Sequence, residues 1–213
     1  MTTIVFQGDS ITDFGRSRDE AGSPSSQLGF GYADLAASRW LRDEPARGLK
    51  YINRGISGNR VVDLYARWKM DALNLQPDLI SILIGVNDVW HEFMRANGVE
   101  ADRFEEVYRL LLRWTKKVLP DVKLLIMEPF LLPVEARTEP DFRGEVELRA
   151  AAAKRVAAEF GATFLPLQKA FDDACKLAPA EHWLYDGVHP APAGHQLIAD
   201  LWLETAKKLL NGK

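Results

Sequence analysis

Short apolar runs alternate along this chain with longer stretches whose apolar positions recur every three or four residues. The short runs are Ile4-Val5-Phe6, Tyr51-Ile52, Leu79-Ile80-Ser81-Ile82-Leu83-Ile84, Val122 through Met127, and Thr163-Phe164-Leu165. The third is nearly continuous, as a strand buried on both faces requires. Between them, Val61, Tyr65, Trp68, Ala72 and Leu75 are spaced to form one helical face. Phe104, Val107, Leu111, Trp114 and Val118 form a second, and Val146, Ala150, Ala153, Ala157 and Phe160 a third. Tyr32, Leu35, Ala36 and Trp40 mark an earlier helix. Ala193 to Leu210 reads as the last one, with Leu197, Leu201 and Trp202 facing inward and Gly212 beyond its end.

Strand–helix alternation predicts a parallel sheet covered on both faces. The expected fold is α/β: a flavodoxin-like, three-layer α/β/α sandwich with a five-stranded parallel sheet, as one domain over residues 1–213. Two connections are long. Arg16 to Gln27, rich in Gly, Ser, Pro and charge, reads as mobile; Pro129 to Pro140 is the other.

Composition narrows the partners. With 213 residues, 47% hydrophobic and 27% charged, the chain reads as soluble and globular. A net charge of −3 leaves no electrostatic footprint for nucleic acid. No apolar run reaches the roughly 20 residues of a membrane span. Met1-Thr2-Thr3 leads straight into a strand with no secretory pattern, and Cys175 is the single cysteine, so no intrachain disulfide forms. The expectation is a cytoplasmic protein without nucleic-acid or membrane partners; a homo-oligomer is compatible with it. Cys175 reads as a small buried hydrophobe rather than a nucleophile.

Chemistry enters through four polar motifs, each beyond a predicted strand or before the last helix. They are Gly8-Asp9-Ser10-Ile11, Asn53 through Asn59, Gly85-Val86-Asn87-Asp88, and Asp186-Gly187-Val188-His189. Ligands in open α/β sheets bind outside the carboxyl ends of the strands, so the four should meet on one edge. Ser10 is a candidate nucleophile, His189 its general base, and Asp186 the group that fixes the imidazole tautomer. The backbone amides of Ser10 and Gly55 and the side-chain amide of Asn87 are candidate oxyanion donors. Gly55 suits that task because no side chain blocks approach to its backbone. Trp90, Trp183 and Tyr185 flank these motifs as candidate pocket walls.

Each feature also has a structural reading. Ser10 could cap a helix with Asp13 as its capping-box partner. Ser57, in a near match to Gly-x-Ser-x-Gly that ends on Asn59, is a rival nucleophile. Asn87 and Asp88 could be turn formers, and Asp186 and His189 a solvated loop. Asp9 orients the Ser10 turn rather than reacting. His91, His182 and His195 read as surface or satisfied core residues, and Arg54, Arg60 and Arg67 as solvated. Glu128 lies at the same sheet edge without an assignable role. A metal-dependent hydrolase would draw on Asp9, Asp88, Asp186 and His189, but no zinc-type spacing supports it. A non-catalytic binding domain has no nucleotide motif to recommend it. No metal and no cofactor are expected.

The set Gly8-Asp9-Ser10-Ile11, Gly55, Gly85-x-Asn87-Asp88 and Asp186-x-x-His189 resembles the SGNH hydrolases of the GDSL esterase/lipase group. That family's four named positions fall here on Ser10, Gly55, Asn87 and His189, in order. Ile11 replaces the usual Leu, an apolar exchange. The resemblance implies a three-layer sandwich and acyl-ester hydrolysis. The strings GDSITDFGR, NRGISGNRVVDLYARW, ISILIGVNDVW and DGVHPAPAGH are similar to those of bacterial xylan-deacetylating members. This narrower likeness implies an acetylesterase whose small-molecule partner is an acetylated saccharide such as a xylo-oligosaccharide. Arylesterases, thioesterases, lysophospholipases and acyltransferases share the same parts, so fold and triad do not choose among them.

Overall fold

The computed structural model describes residues 1–19, 21–135 and 141–212. All five expected strands form: β1 (Thr2–Gly8), β2 (Leu49–Asn53), β3 (Leu79–Leu83), β4 (Lys123–Met127) and β5 (Thr163–Leu165). They pair in parallel in the order β2-β1-β3-β4-β5. The longer helices are α3 (Tyr32–Asp43), α4 (Val61–Asp71), α5 (Val86–Arg95), α6 (Ala101–Val118), α7 (Phe142–Glu159) and α10 (Pro192–Asn211). The shorter ones are α1 (Ser10–Asp13), α2 (Pro24–Leu28), α8 (Gln168–Ala174) and α9 (Ala180–Trp183).

Strand side chains alternate between two cores, as the two-residue pleat requires. Leu79, Leu83, Leu125 and Met127 point to one, where Tyr32 and Trp40 of α3 meet Ile198 and Trp202 of α10. Ile80, Ile82, Leu124 and Ile126 point to the other, covered by Val61, Leu64 and Trp68 of α4, Phe104 and Leu111 of α6, and Ala153 and Val156 of α7. Burying one such large side chain is worth about 1.5–3 kcal/mol. Two of the indoles carried inside find partners: Trp202 Nε1 donates to Ser81 Oγ at 2.8 Å, and Trp68 Nε1 to Thr115 Oγ1 at 2.8 Å.

Three details differ from the pattern reading. The buried stripe of α4 runs Val61, Leu64, Trp68, so Tyr65 falls on its flank and packs edge-on against Trp114, 5.8 Å between centroids. Val118 is exposed because the stripe of α6 drifts through Tyr108, Leu112 and Thr115. The connection from Arg16 to Gln27 runs into the short helix α2, capped by Ser23, whose hydroxyl accepts from Ser26 N at 3.2 Å. Of the connection from Pro129 to Pro140, residues 136–140 lie outside the described residues.

In this strand order, β1 and β3 feed helices on opposite faces. The edge beyond their carboxyl ends is the topological switch point where such sheets bind ligands. Ser10 follows β1 there, and Asn87 follows β3.

Candidate active site

The turn after β1 is forced by contact. A Cβ on Gly8 would lie 2.3 Å from Thr12 Oγ1 and 2.4 Å from Leu83 O, so only glycine fits. Asp9, not Ser10, then caps α1: its Oδ1 accepts from Ile11 N at 3.0 Å. Asp9 is almost fully buried, and burial pushes its carboxyl up to about 7 against the pull of that hydrogen bond. Asp13, the expected capping partner, is engaged elsewhere. Its Oδ2 accepts from Ser57 N at 2.9 Å, Ser57 Oγ at 3.0 Å and Arg18 Nη2 at 3.1 Å. Ser10 is left as the first residue of α1, where backbone amides have no intrahelical acceptor.

The loop between α9 and α10 delivers the imidazole. Asp186 Oδ1 accepts from Val188 N at 3.0 Å and His189 N at 2.7 Å, which curls the loop. Gly187 sits at φ +84°, where a Cβ is disfavoured. Leu132 N donates to Gly187 O at 2.9 Å, and Leu184 bridges Pro190, so the loop is pinned from both sides. Asp186 Oδ2 lies 2.7 Å from His189 Nδ1, and His189 Nε2 lies 2.8 Å from Ser10 Oγ. Burial alone would raise the Asp186 carboxyl. The ring and backbone N–H groups of His189 and the Val188 amide outweigh it and hold the group down at about 2. With Nδ1–H directed at that carboxylate, Nε2 presents its lone pair to the serine hydroxyl.

Asn87 and Gly55 come from the neighbouring loops. Asn87, near the start of α5, donates through Nδ2 to Asn59 O at 3.2 Å. Gly55 N donates to Asn53 Oδ1 at 2.9 Å. A Cβ on Gly55 would lie 2.4 Å from Asp13 N. Glycine is required there by packing against α1, a different reason from the open approach expected above. Arg67 ties these loops together. Its Nε donates to Asn59 Oδ1 at 2.7 Å, and Nη1 donates to Gln7 Oε1 at 3.0 Å and pairs with Asp71 at 2.9 Å. It is therefore an internal clamp rather than a solvated arginine.

Ser10 and His189 line a shallow cleft of about 330 Å³ with Ser57, Tyr185, Phe14, Gly15 and Phe30. Tyr185 stacks on the His189 ring at 5.8 Å, and the half-buried Trp90 lies 5.5 Å from it on a tilt. Trp183 is not brought to the cleft; its Nε1 donates to Ala178 O at 3.3 Å and its ring joins the core. Phe14, Gly15 and Phe30 were missed by sequence reasoning, since isolated aromatics in loops carry no periodic signal.

The remaining polar candidates are structural. Both Asp88 oxygens accept from Val61 N, at 3.0 and 3.2 Å, and burial pushes its carboxyl up to about 7. Glu128 accepts from Leu167 N at 2.7 Å and Gln168 N at 2.8 Å, capping α8. Arg60 pairs with Asp63 and Arg54 lies by Asp71. His195 is buried, accepts from Tyr32 N at 3.1 Å, and is pushed down to about 4 by desolvation. His182 packs edge-on to Trp183; desolvation lowers His91. Cys175 is half-buried, and burial raises its thiol. Among the described residues, no group of three or more His, Cys, Asp or Glu is arranged to hold a metal ion. Among them, too, no helix is long and apolar enough to cross a membrane.

The profile of the GDSL-like lipase/acylhydrolase family matches residues 6–197. The chain belongs to that family. This hydrolase is 35% identical over 204 residues to an acetylxylan esterase of Geobacillus stearothermophilus, covering 94% of this chain and 91% of the relative. A solved structure of that esterase superposes with a TM-score of 0.85 at 34% identity, over 95% of this chain and 93% of the other. A structure described as a GDSL-like lipase from Parabacteroides merdae superposes with a TM-score of 0.92 at 41% identity, over 97% and 95%. Catalytic mutants of the Geobacillus enzyme replace a serine, an aspartate and a histidine by alanine.

Proposed function

We propose that this GDSL-family hydrolase is a serine carboxylesterase that removes acetyl groups from O-acetylated sugars such as xylo-oligosaccharides. The reading takes residues 1–213 as one catalytic domain. Its main support is the relay in which Ser10 Oγ lies 2.8 Å from His189 Nε2 and His189 Nδ1 lies 2.7 Å from Asp186. The substrate class draws on likeness to an enzyme named for acetylxylan.

Ser10 Oγ attacks the acetyl carbonyl carbon as its proton passes to His189 Nε2. Asp186 stabilises the imidazolium that forms. The carbonyl oxygen becomes an oxyanion, met by the Ser10 amide and by Asn87 Nδ2, whose second hydrogen is directed away from Asn59. Gly55 N–H contributes only as far as it is shared with Asn53 Oδ1. The C–O bond to the sugar breaks, and the imidazolium returns its proton to the departing alkoxide. Water then attacks the acetyl-serine with His189 again as base, releasing acetate and restoring Ser10. One preorganised oxyanion donor is worth roughly 2.7–4 kcal/mol.

A substrate panel tests this reading. kcat/KM is expected to fall at least roughly tenfold from acetyl to octanoyl esters, which corresponds to about 1.4 kcal/mol, and acetylated xylo-oligosaccharides should be deacetylated. A preference for octanoyl or long-chain acyl-thioester substrates would replace it with a lipase- or thioesterase-type activity.

A further inference from the structure

The mechanism above uses one side of the cleft. Three aromatic side chains of the remaining lining take no part in it: Phe14, Phe30 and Tyr185, beside Gly15 and Ser57. Phe30 is 74% exposed and Tyr185 55%. Leaving a phenyl ring in water forgoes the free energy of burying it. The chain nevertheless bends its backbone to keep this one there. Gly29 sits at φ +84°, and a Cβ on it would lie 2.7 Å from Asp13 O and 2.8 Å from Phe14 O. Gly15 sits at φ +76°, with a would-be Cβ 3.1 Å from Phe30 Cδ2, so the Phe30 ring rests on bare backbone. Phe14 itself holds φ +27°, unusual for any residue but glycine.

The unit is fixed as well as exposed. Phe30 N donates to Phe14 O at 3.0 Å. The Phe14 ring meets buried His195 edge-on at 4.0 Å between centroids, and that imidazole is itself held by Tyr32 N. Clustered unusual dihedrals that the surroundings impose are a mark of ligand sites. An acyl chain needs an enclosed apolar slot, whereas this cleft is shallow and open. Flat aromatic faces beside the polar groups Ser57 and Tyr185 suit a saturated ring with C–H faces and a hydroxyl rim.

We infer that Phe30, seated on Gly15 and sharing the cleft lining with Phe14 and Tyr185, is the stacking platform for the sugar ring on the alcohol side of the ester. This rests on the sugar-deacetylase reading above. The test compares Phe30→Ala, Phe30→Leu and Phe30→Trp on acetylated xylobiose and on ethyl acetate, whose alcohol has no ring. With Ala or Leu, KM for acetylated xylobiose should rise about tenfold, the equivalent of about 1.4 kcal/mol. The loss on ethyl acetate should be several times smaller, and Trp should restore the sugar activity. Equal losses on both substrates, or Leu performing as well as Phe, would overturn the platform.

Binding without turnover separates this inference from the reading beneath it. Ser10→Ala protein is titrated with xylotriose by calorimetry, with and without Phe30→Ala. Saturable binding that weakens about tenfold in the double variant supports the platform even where acetylated xylobiose proves not to be a substrate. No binding, or binding indifferent to Phe30, overturns it. A change of oligomeric state on size exclusion with xylotriose affinity intact also overturns it, and assigns the ring to a contact between copies.

Discussion

Ser10 and Ser57 line the same cleft, one just beyond β1 and the other just beyond β2. Their surroundings divide them. Ser10 Oγ meets His189 Nε2, whose ring is oriented from behind by Asp186. Ser57 Oγ donates to Asp13 Oδ2, an oxygen that also receives Ser57 N and Arg18. The Asp13 carboxylate holds the β2–α4 turn against α1, its Oδ2 already committed to the Ser57 amide and Arg18. Exposure and local glycine pattern do not select a nucleophile; an acceptor that is itself held in one orientation does. The largest expected effect tests this contrast directly. Ser10→Ala should lower kcat by roughly 10⁴–10⁶, His189→Ala by a similar factor, and the pair by little more, because they act as one unit. Single-turnover kinetics on an aryl acetate, with labelling by a serine-reactive phosphonate, measure it. A Ser10→Ala enzyme keeping a tenth of its rate would move the chemistry to another residue.

The next effect concerns Asn87, which joins the comparison from a third turn. Asn87→Ala should cost about 10²–10³ in kcat with KM little altered, as for the loss of one oxyanion donor. The same drop expressed in KM would mark a ground-state contact instead. Its neighbour Asp88 works on stability. Its folded carboxyl is raised to about 7 from an ordinary value of 3.8. The native state therefore holds a proton that the unfolded chain releases across that window. The stabilisation from this group is complete below the unfolded value and is lost as pH rises through about 7, at most about 1.4 kcal/mol per pH unit. Asp9 shifts in the same direction, and Asp186, held down at about 2, acts oppositely and only below the usual carboxylate range. Denaturant midpoints between pH 4 and 8 should fall with rising pH in the parent, and less steeply in Asp88→Asn. An unchanged slope would mean that Asp88 is ionised throughout.

The same contrast explains what the sequence disclosed. The five strands were legible because each is a short apolar run between helical periods, and parallel pairing then places every strand's carboxyl end on one edge. That geometry let four scattered motifs be read as neighbours. In sequence Gly55 suggests an open backbone, yet its need comes from α1 packed 2.4 Å from where a Cβ would stand, a contact with no sequence signature. Trp183 adjoins the Asp186 motif in sequence, but α9 turns it toward the core. Phe30 and Phe14 were invisible for the converse reason: neither sits in a periodic segment. The glycines at 15 and 29 were the available clue, since closely placed turn residues around an aromatic often mark a built loop.

The smallest effect completes the comparison of the two serines. Ser57→Ala removes the Oγ hydrogen bond to Asp13 and leaves the Ser57 amide bond and the Arg18 pair in place. One hydrogen bond to a charged group contributes about 1.5–3 kcal/mol, less where water can substitute, and Ser57 lies at the cleft mouth. The expected result is a loss of stability of about 1 kcal/mol in urea unfolding and a rate within roughly threefold of the parent. A rate collapse in Ser57→Ala as deep as that of Ser10→Ala, with the fold retained, would erase the distinction drawn between the two hydroxyls, since the carboxylate-bound serine would then be carrying the acyl group.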